Sequence, residues 1–174
     1  SWIYATKPVG NNYQAIVSQQ ANEAGFGLYL NPQGQTTLRL SNNEKTIDIS
    51  TDNCITRSQW YFVVGAFNPR EGTAMVMQRQ CGKWPNSAAN CETSKKLNLG
   101  KLSTTNIPLT IAASGITDSL VKQPYNCFNG KIESPCIFSR SISSFEIENL
   151  FSNCDPSDVP DLIAGWNFSR TPAY

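Results

Sequence analysis

The sequence predicts an all-β protein, a two-sheet antiparallel sandwich with one short helix near its C-terminal end. Three observations carry that prediction. Short alternating or β-branched segments recur along the chain. Gly, Pro and Asn separate them at turn-like intervals. A single stretch, Ser143 to Phe151, combines helical periodicity with a start signal.

Ala15 to Ser18 (AIVS), Gly25 to Leu30 (GFGLYL) and Thr36 to Leu40 (TTLRL) read as three short strands. Between the last two, Asn31-Pro32-Gln33-Gly34 supplies the dihedrals of a hairpin turn. Lys45 to Ile49 (KTIDI) alternates again. Gln59 to Phe67 (QWYFVVGAF) is the most apolar run and belongs in the middle of the core. Asn68 to Gly72 turns the chain, and Thr73 to Gln80 returns as a strand. Residues 81–100 read as a polar loop. Leu109 to Ala113, Phe128 to Phe138 and Leu162 to Phe168 are the late strands. In the helical stretch Ser143 and Glu146 have the spacing of a capping box, and Phe145, Ile147, Leu150 and Phe151 share an apolar face. About nine strands with one helix is the content of a jelly-roll sandwich. No repeat or composition break divides the chain, so residues 1–174 read as one domain.

Composition narrows the function classes. The chain is 40% hydrophobic but only 16% charged, against roughly 25% charged in an ordinary domain. Ser, Thr, Asn and Gln make up the difference, which suits sheet faces dressed in hydroxyls and amides. Net charge is +1, and no basic run is long enough to follow a phosphate backbone, so nucleic acid is not an expected partner. No apolar run approaches the roughly 20 residues of a membrane helix, so membrane insertion is not expected.

Six cysteines and no histidine are the informative counts. An even cysteine number in a polar, Asn-rich chain reads as a disulfide set from an oxidising, extracellular setting. The positions are Cys54, Cys81, Cys91, Cys127, Cys136 and Cys154, with no CxxC pair to suggest a zinc knuckle or redox site. Cys81 and Cys91 flank one loop and are the expected local bridge. If residues 127–136 form one extended strand, Cys127 and Cys136 lie roughly 30 Å apart, beyond the reach of about 7 Å that a disulfide allows. The pairing of Cys54, Cys127, Cys136 and Cys154 stays open. Asn167-Phe168-Ser169 is a glycosylation triplet that fits the same setting.

Without histidine the Ser-His-Asp and Cys-His arrangements and the usual zinc sites are absent. Nor do carboxylates gather as a retaining glycosidase requires. Glu146 is accounted for by capping, and Asp155, Asp158 and Asp161 read as a solvated Pro-containing loop. The ligand-contact candidates are therefore aromatic: Trp84 and Tyr125, in polar loops with Asn86, Asn90 and Asn126. Rings that stack on sugar C–H faces, beside amides that bind hydroxyls, make a candidate glycan surface. Disulfide-pinned loops look the same. Trp2, Trp60 and Trp166 read as core or core margin.

In this order the segments resemble the laminin-G-like, concanavalin-A-like lectin and glucanase superfamily, over nearly the whole chain. The resemblance is carried by Trp2 to Thr6, Ala15 to Ser18, Gly25 to Leu30, Ser58 to Gly65, Phe128 to Glu133 and the helix within Ser141 to Leu150. It implies a jelly-roll sandwich with calcium often held at its rim. Asn129 and Glu133 stand where that family's motif contributes oxygen ligands, the plain alternative being a turn and a solvent-facing carboxylate. Leu162 to Ser169 is similar to the segment after the sandwich in N,N-dimethylformamidase large subunits, whose iron is held by another domain. Six cysteines depart from that intracellular family. The expectation is a non-catalytic, secreted interaction or structural module of a longer protein. It needs no cofactor beyond calcium, and its partner is a protein, a glycan or a neighbouring domain. The alternatives are an accessory sandwich of an amidohydrolase and a glycan-binding lectin.

Overall fold

The computed structural model describes residues 1–21, 23–82, 90–114, 124–152 and 155–168. Among these residues twelve strands appear: β1 (Trp2–Ala5), β2 (Gln14–Ala21), β3 (Ala24–Leu30), β4 (Gln35–Asn42), β5 (Thr46–Cys54), β6 (Trp60–Asn68), β7 (Thr73–Gln80), β8 (Cys91–Lys96), β9 (Thr110–Ile111), β10 (Gly130–Glu133), β11 (Cys136–Phe138) and β12 (Leu162–Gly165). The helix α1 is Ser144–Phe151, as its capping box predicts. Two five-stranded antiparallel sheets form the sandwich, one ordered β10-β1-β6-β7-β8 and the other β5-β4-β3-β2-β9. The first is called here the helix-side sheet and the second the hydroxyl sheet. A two-stranded ribbon, β11-β12, stands apart.

The hairpins explain the asparagine content. Asn31 Oδ1 accepts Gln33 N at 3.0 Å and Gln35 N at 2.9 Å. Asn42 Oδ1 accepts Lys45 N at 3.0 Å, and Asn68 Oδ1 accepts Arg70 N at 3.1 Å. Each side chain replaces a main-chain acceptor at the start of its turn. Gly34 and Gly72 then take the left-handed conformation, at φ 82° and 64°.

Two expectations change. The polar stretch after β7 contains β8, whose CETSKK sequence has no apolar face to announce it. It is an edge strand held by pairing with β7, and its lysines suit an edge. The late strand expected over Phe128 to Phe138 breaks in two, because Ser134 turns left-handed at φ 47° directly before Pro135. β10 joins β1, whereas β11 joins β12.

Alternation sets the layers. Ile3, Ala5, Tyr61, Val63, Ala74 and Val76 face inward from one sheet onto Ile16, Leu30, Leu38, Leu40 and Ile49 of the other. β6 is buried on both faces. Its Phe62 and Val64, with Met77, pack outward on Ile147 and Leu150 of α1 and on Val159. Trp2 closes this layer, with its ring 4.8 Å from Phe62 and 5.4 Å from Phe151. Arg140 ties helix to ribbon, donating to Glu146 at 2.6 Å and to Asp161 at 2.9 Å. That guanidinium, with the Ser143 amide and hydroxyl, brings the Glu146 carboxyl down to about 2.

One polar group crosses the apolar interior. Gln78 of β7 is 1% exposed. Its Oε1 accepts from Thr36 Oγ1 at 2.8 Å and Thr51 Oγ1 at 2.9 Å, and its Nε2 donates to Asn53 O at 3.1 Å. Those partners lie on β4 and β5 of the opposite sheet. Gln78→Leu is expected to lower stability by about 3 kcal/mol, because dry hydroxyls and a carbonyl lose their partner. Urea unfolding of the variant checks this, and a loss under about 1 kcal/mol would show that the bonds do not hold the sheets.

Candidate functional site

The outward face of the hydroxyl sheet is built from three rows in register. Gln20, Gly25, Ser41 and Thr46 form one row, and Ser18, Gly27, Arg39 and Asp48 the next. Ala15, Tyr29, Thr37 and Ser50 form the third. The glycine at position 27 makes room for an aromatic ring. A Cβ there would stand 2.7 Å from Tyr29 Cζ, so the tyrosine lies flat along the sheet over Gly27. Its hydroxyl meets Ser18 Oγ at 2.8 Å and donates to Gln20 Oε1 at 3.1 Å. Gln20 Nε2 donates to Ser41 Oγ at 3.0 Å, and Ser41 meets Thr46 Oγ1 at 2.9 Å. A chain of hydrogen bonds thus runs across four strands.

A charged cluster lies over this floor. Arg39 donates to both oxygens of Asp48, at 2.7 and 2.6 Å. Tyr13, just before β2, reaches over to donate to Asp48 Oδ2 at 2.9 Å. The Arg39 guanidinium sits 4.4 Å from the centre of the Tyr13 ring and 5.6 Å from that of Tyr29, within cation–π reach of both. The two rings meet edge-on at 6.0 Å. Burial and then the bond to Asp48 hold the Tyr13 phenol above its ordinary 10.0. The bond to Asp48 raises Arg39 further. Yet the side chains of Arg39 and Asp48 remain 23% and 28% exposed. The pair is preorganised and reachable from solvent.

Two of the sequence candidates come to the edge of this face. Tyr125 bridges Ser114, whose N–H donates to the Tyr125 carbonyl at 2.8 Å, and its side chain is exposed. Burial first, and then Tyr29, raise its phenol above the ordinary value. Asn126, left-handed at φ 51°, gives its carbonyl to Ala15 N at 2.7 Å. Trp84, Asn86 and Cys154 lie outside the described residues. Asn90 is a capping side chain, its Oδ1 accepting Gln80 N at 2.6 Å.

The remaining candidates are dispersed. Asn129 accepts from Thr6 Oγ1, and Glu133 from Ser134 N at 3.1 Å and Phe168 N at 3.2 Å. They stand at opposite ends of β10, about 13 Å apart at strand rise. Asp155 Oδ1 accepts Ser157 N at 3.0 Å as a cap, while Asp161 binds Arg140. No group of three metal-binding side chains occurs among the described residues. Asn167 is exposed just after β12. Trp60 packs 5.5 Å from Tyr4, and Trp166 is half-buried.

The cysteine expectation is corrected. No disulfide joins the described cysteines, and Cys54, Cys81, Cys127 and Cys136 stand as thiols. The β7–β8 ladder sets Cys91 opposite Gln78, three residues before Cys81. That offset is about 10 Å along a strand, too far for a bridge. Burial raises the Cys81 thiol to about 11.

Sequence reasoning missed Tyr13, Tyr29, Arg39 and Asp48. A signal existed for two of them. Counting back from the Asn42 turn through TTLRL and KTIDI puts Arg39 opposite Asp48 on the outward face. Tyr13 carried none, because its contact spans 35 positions of sequence.

No family model matches the chain, and no curated protein matches its sequence. Among solved structures it is similar to a native heptameric SAP-like pentraxin from Limulus polyphemus, at 16% identity and a TM-score of 0.47. The similarity covers 86% of this chain and 66% of that one.

Two measurements test this geometry. Carbon NMR titration is expected to show the Tyr13 phenol ionising above 10.0, and Asp48→Asn to bring it back toward that value. A raised phenol favours the fold below pH 10.0, and the gain disappears as pH climbs through the folded value. An ordinary titration would remove the Asp48 contact. Alkylation of the native, unreduced protein near neutral pH is expected to label exposed Cys54 and Cys127 first and Cys81 last. A Cys81–Cys91 crosslinked peptide on mass mapping would contradict the β7–β8 register.

Proposed function

We propose that this chain is a non-catalytic binding module that presents the Tyr13–Arg39–Asp48 face to a polar, hydroxyl-rich ligand of the glycan class. The observation that carries the reading is the ordered array on that face. Solvent-facing sheet positions ordinarily hold side chains that act independently. Here a buried tyrosine, a hydroxyl chain and a partly exposed Arg–Asp pair are locked together, and the energy of ordering them is already spent before a ligand arrives.

The chemistry fits sugars. A sugar hydroxyl both donates and accepts, and Asp48 offers free acceptor capacity while Arg39 offers unused donors. Tyr125, at the margin and 43% exposed, supplies a ring on which a sugar C–H face can lie. Asp48 at the centre of the patch disfavours phosphate backbones and other polyanions. Of the carboxylates elsewhere, Asp155 caps a turn, and Glu146 and Asp161 are paired with Arg140.

The test is a glycan array followed by NMR titration with the best hit. Shifts are expected at Tyr13, Arg39, Asp48 and Tyr125. Tyr125→Ala and Asp48→Asn should each weaken binding roughly tenfold, about 1.4 kcal/mol, with the fold intact by circular dichroism. An array without hits overturns the reading. So does binding that both substitutions leave unchanged.

A further inference from the structure

The first residue of β2 is polar, yet its side chain turns inward. Gln14 pairs with Leu30, a core residue, so both lie on the interior face of the hydroxyl sheet at one end of the sandwich. Gln14 is 8% exposed, and a buried amide requires hydrogen-bond partners. It finds three, all of them main-chain groups outside any strand. Its Nε2 donates to Lys7 O at 2.8 Å and to Pro8 O at 3.3 Å, and its Oε1 accepts Asn129 N at 3.0 Å.

The two ends of that amide serve different loops. Lys7 and Pro8 lie in the connection from β1 that closes with Tyr13, so the Nε2 bonds draw the start of that loop onto its end. Gly10 N donates to Pro32 O at 3.1 Å and rests the loop on the β3–β4 turn. With its base closed, the loop carries Tyr13 over the sheet to Asp48 and to the edge of the Tyr29 ring. Asn129 ends the segment that Tyr125 begins, directly before β10. The Oε1 bond holds one end of this segment, and the neighbouring Ala15 N holds Asn126 O at 2.7 Å toward the other. Both loops that border the ligand face are thus fastened at one point from beneath.

We infer that Gln14 is the positioning residue of that face, its donor end seating Tyr13 and its acceptor end helping to seat Tyr125. What the two rings bind rests on the glycan reading; how they are held does not. The loops are far apart in sequence, and a single rigid amide fixes the distance between them. An apolar side chain of similar size would fill the same space and leave two carbonyls and one N–H without their partner. The core would stay packed while the loops came free.

The test uses protein labelled with carbon-13 in its tyrosine rings, first without any glycan. In Gln14→Met the Tyr13 phenol is expected to ionise closer to 10.0, since it loses burial and its Asp48 contact together. The Tyr125 ring signal is expected to move as well. Tyr4, packed against Trp60 on the other sheet, is the internal control and should stay in place. In the unsubstituted protein the Gln14 side-chain NH2 and the Asn129 amide should exchange slowly with solvent, and fast exchange of either overturns the inference without any variant. It is overturned too if Tyr13 and Tyr125 keep their native signals in Gln14→Met, or if Tyr4 moves as far as they do. Gln14→Met should also weaken binding of the highest-scoring array glycan about tenfold, and unchanged affinity with displaced rings would remove Gln14 from the site. An array without hits sinks the glycan reading alone, because ring signals and exchange rates are read on the free protein.

Discussion

Gln78 is a polar side chain in the dry space between two apolar sheets, and the rest of the sandwich is arranged around it. An unpartnered amide there would cost several hydrogen bonds' worth of stability. Only one placement satisfies it. β7 must lie across β4 and β5 so that the amide meets Thr36, Thr51 and Asn53. Apolar contacts such as Val76 with Leu38 and Leu40 tolerate sliding, because burial has no direction. The Gln78 bonds do not. They fix one sheet against the other, and with them the relative positions of the outer layers each sheet carries.

Those two outer layers are chemically unlike. The helix-side sheet sends Phe62, Val64 and Met77 outward, which obliges α1 and Trp2 to cover them. The hydroxyl sheet sends Ser18, Tyr29, Thr37, Arg39, Ser41 and Asp48 outward, and these satisfy one another. A covering helix has no apolar footing there. Among the described residues the face is met by Tyr13 and bordered by Tyr125, and Arg39 and Asp48 stay partly exposed on it. Ligand chemistry and layer architecture follow from the same alternation of residue types along neighbouring strands.

Most of the strand content was legible because each long strand has an apolar interior face and an Asn- or Gly-bearing turn beside it. Gly25 to Leu30, Gln59 to Phe67 and Thr73 to Gln80 are cases in which pattern and pairing agree to within a residue or two. β8 was not legible. Its stability comes from main-chain bonds to β7, and CETSKK has no side-chain pattern that could report them. The division of β10 from β11 was hidden for a related reason, since IESPCIF stays apolar across a break made by two backbone conformations.

By itself the sequence determined the sandwich class, the helix with its Ser143–Glu146 cap, the turn asparagines and the absence of histidine chemistry. These are local matters of periodicity, capping and composition, decided within a few residues. Only the tertiary structure decided which side chains meet. Tyr13 finds Asp48, Tyr29 lies over Gly27, and Cys91 stands opposite Gln78 and not Cys81. Each depends on strand order and register. Those are set by how two whole sheets bury their apolar faces and satisfy Gln78, a condition on the entire chain that no short stretch of it contains.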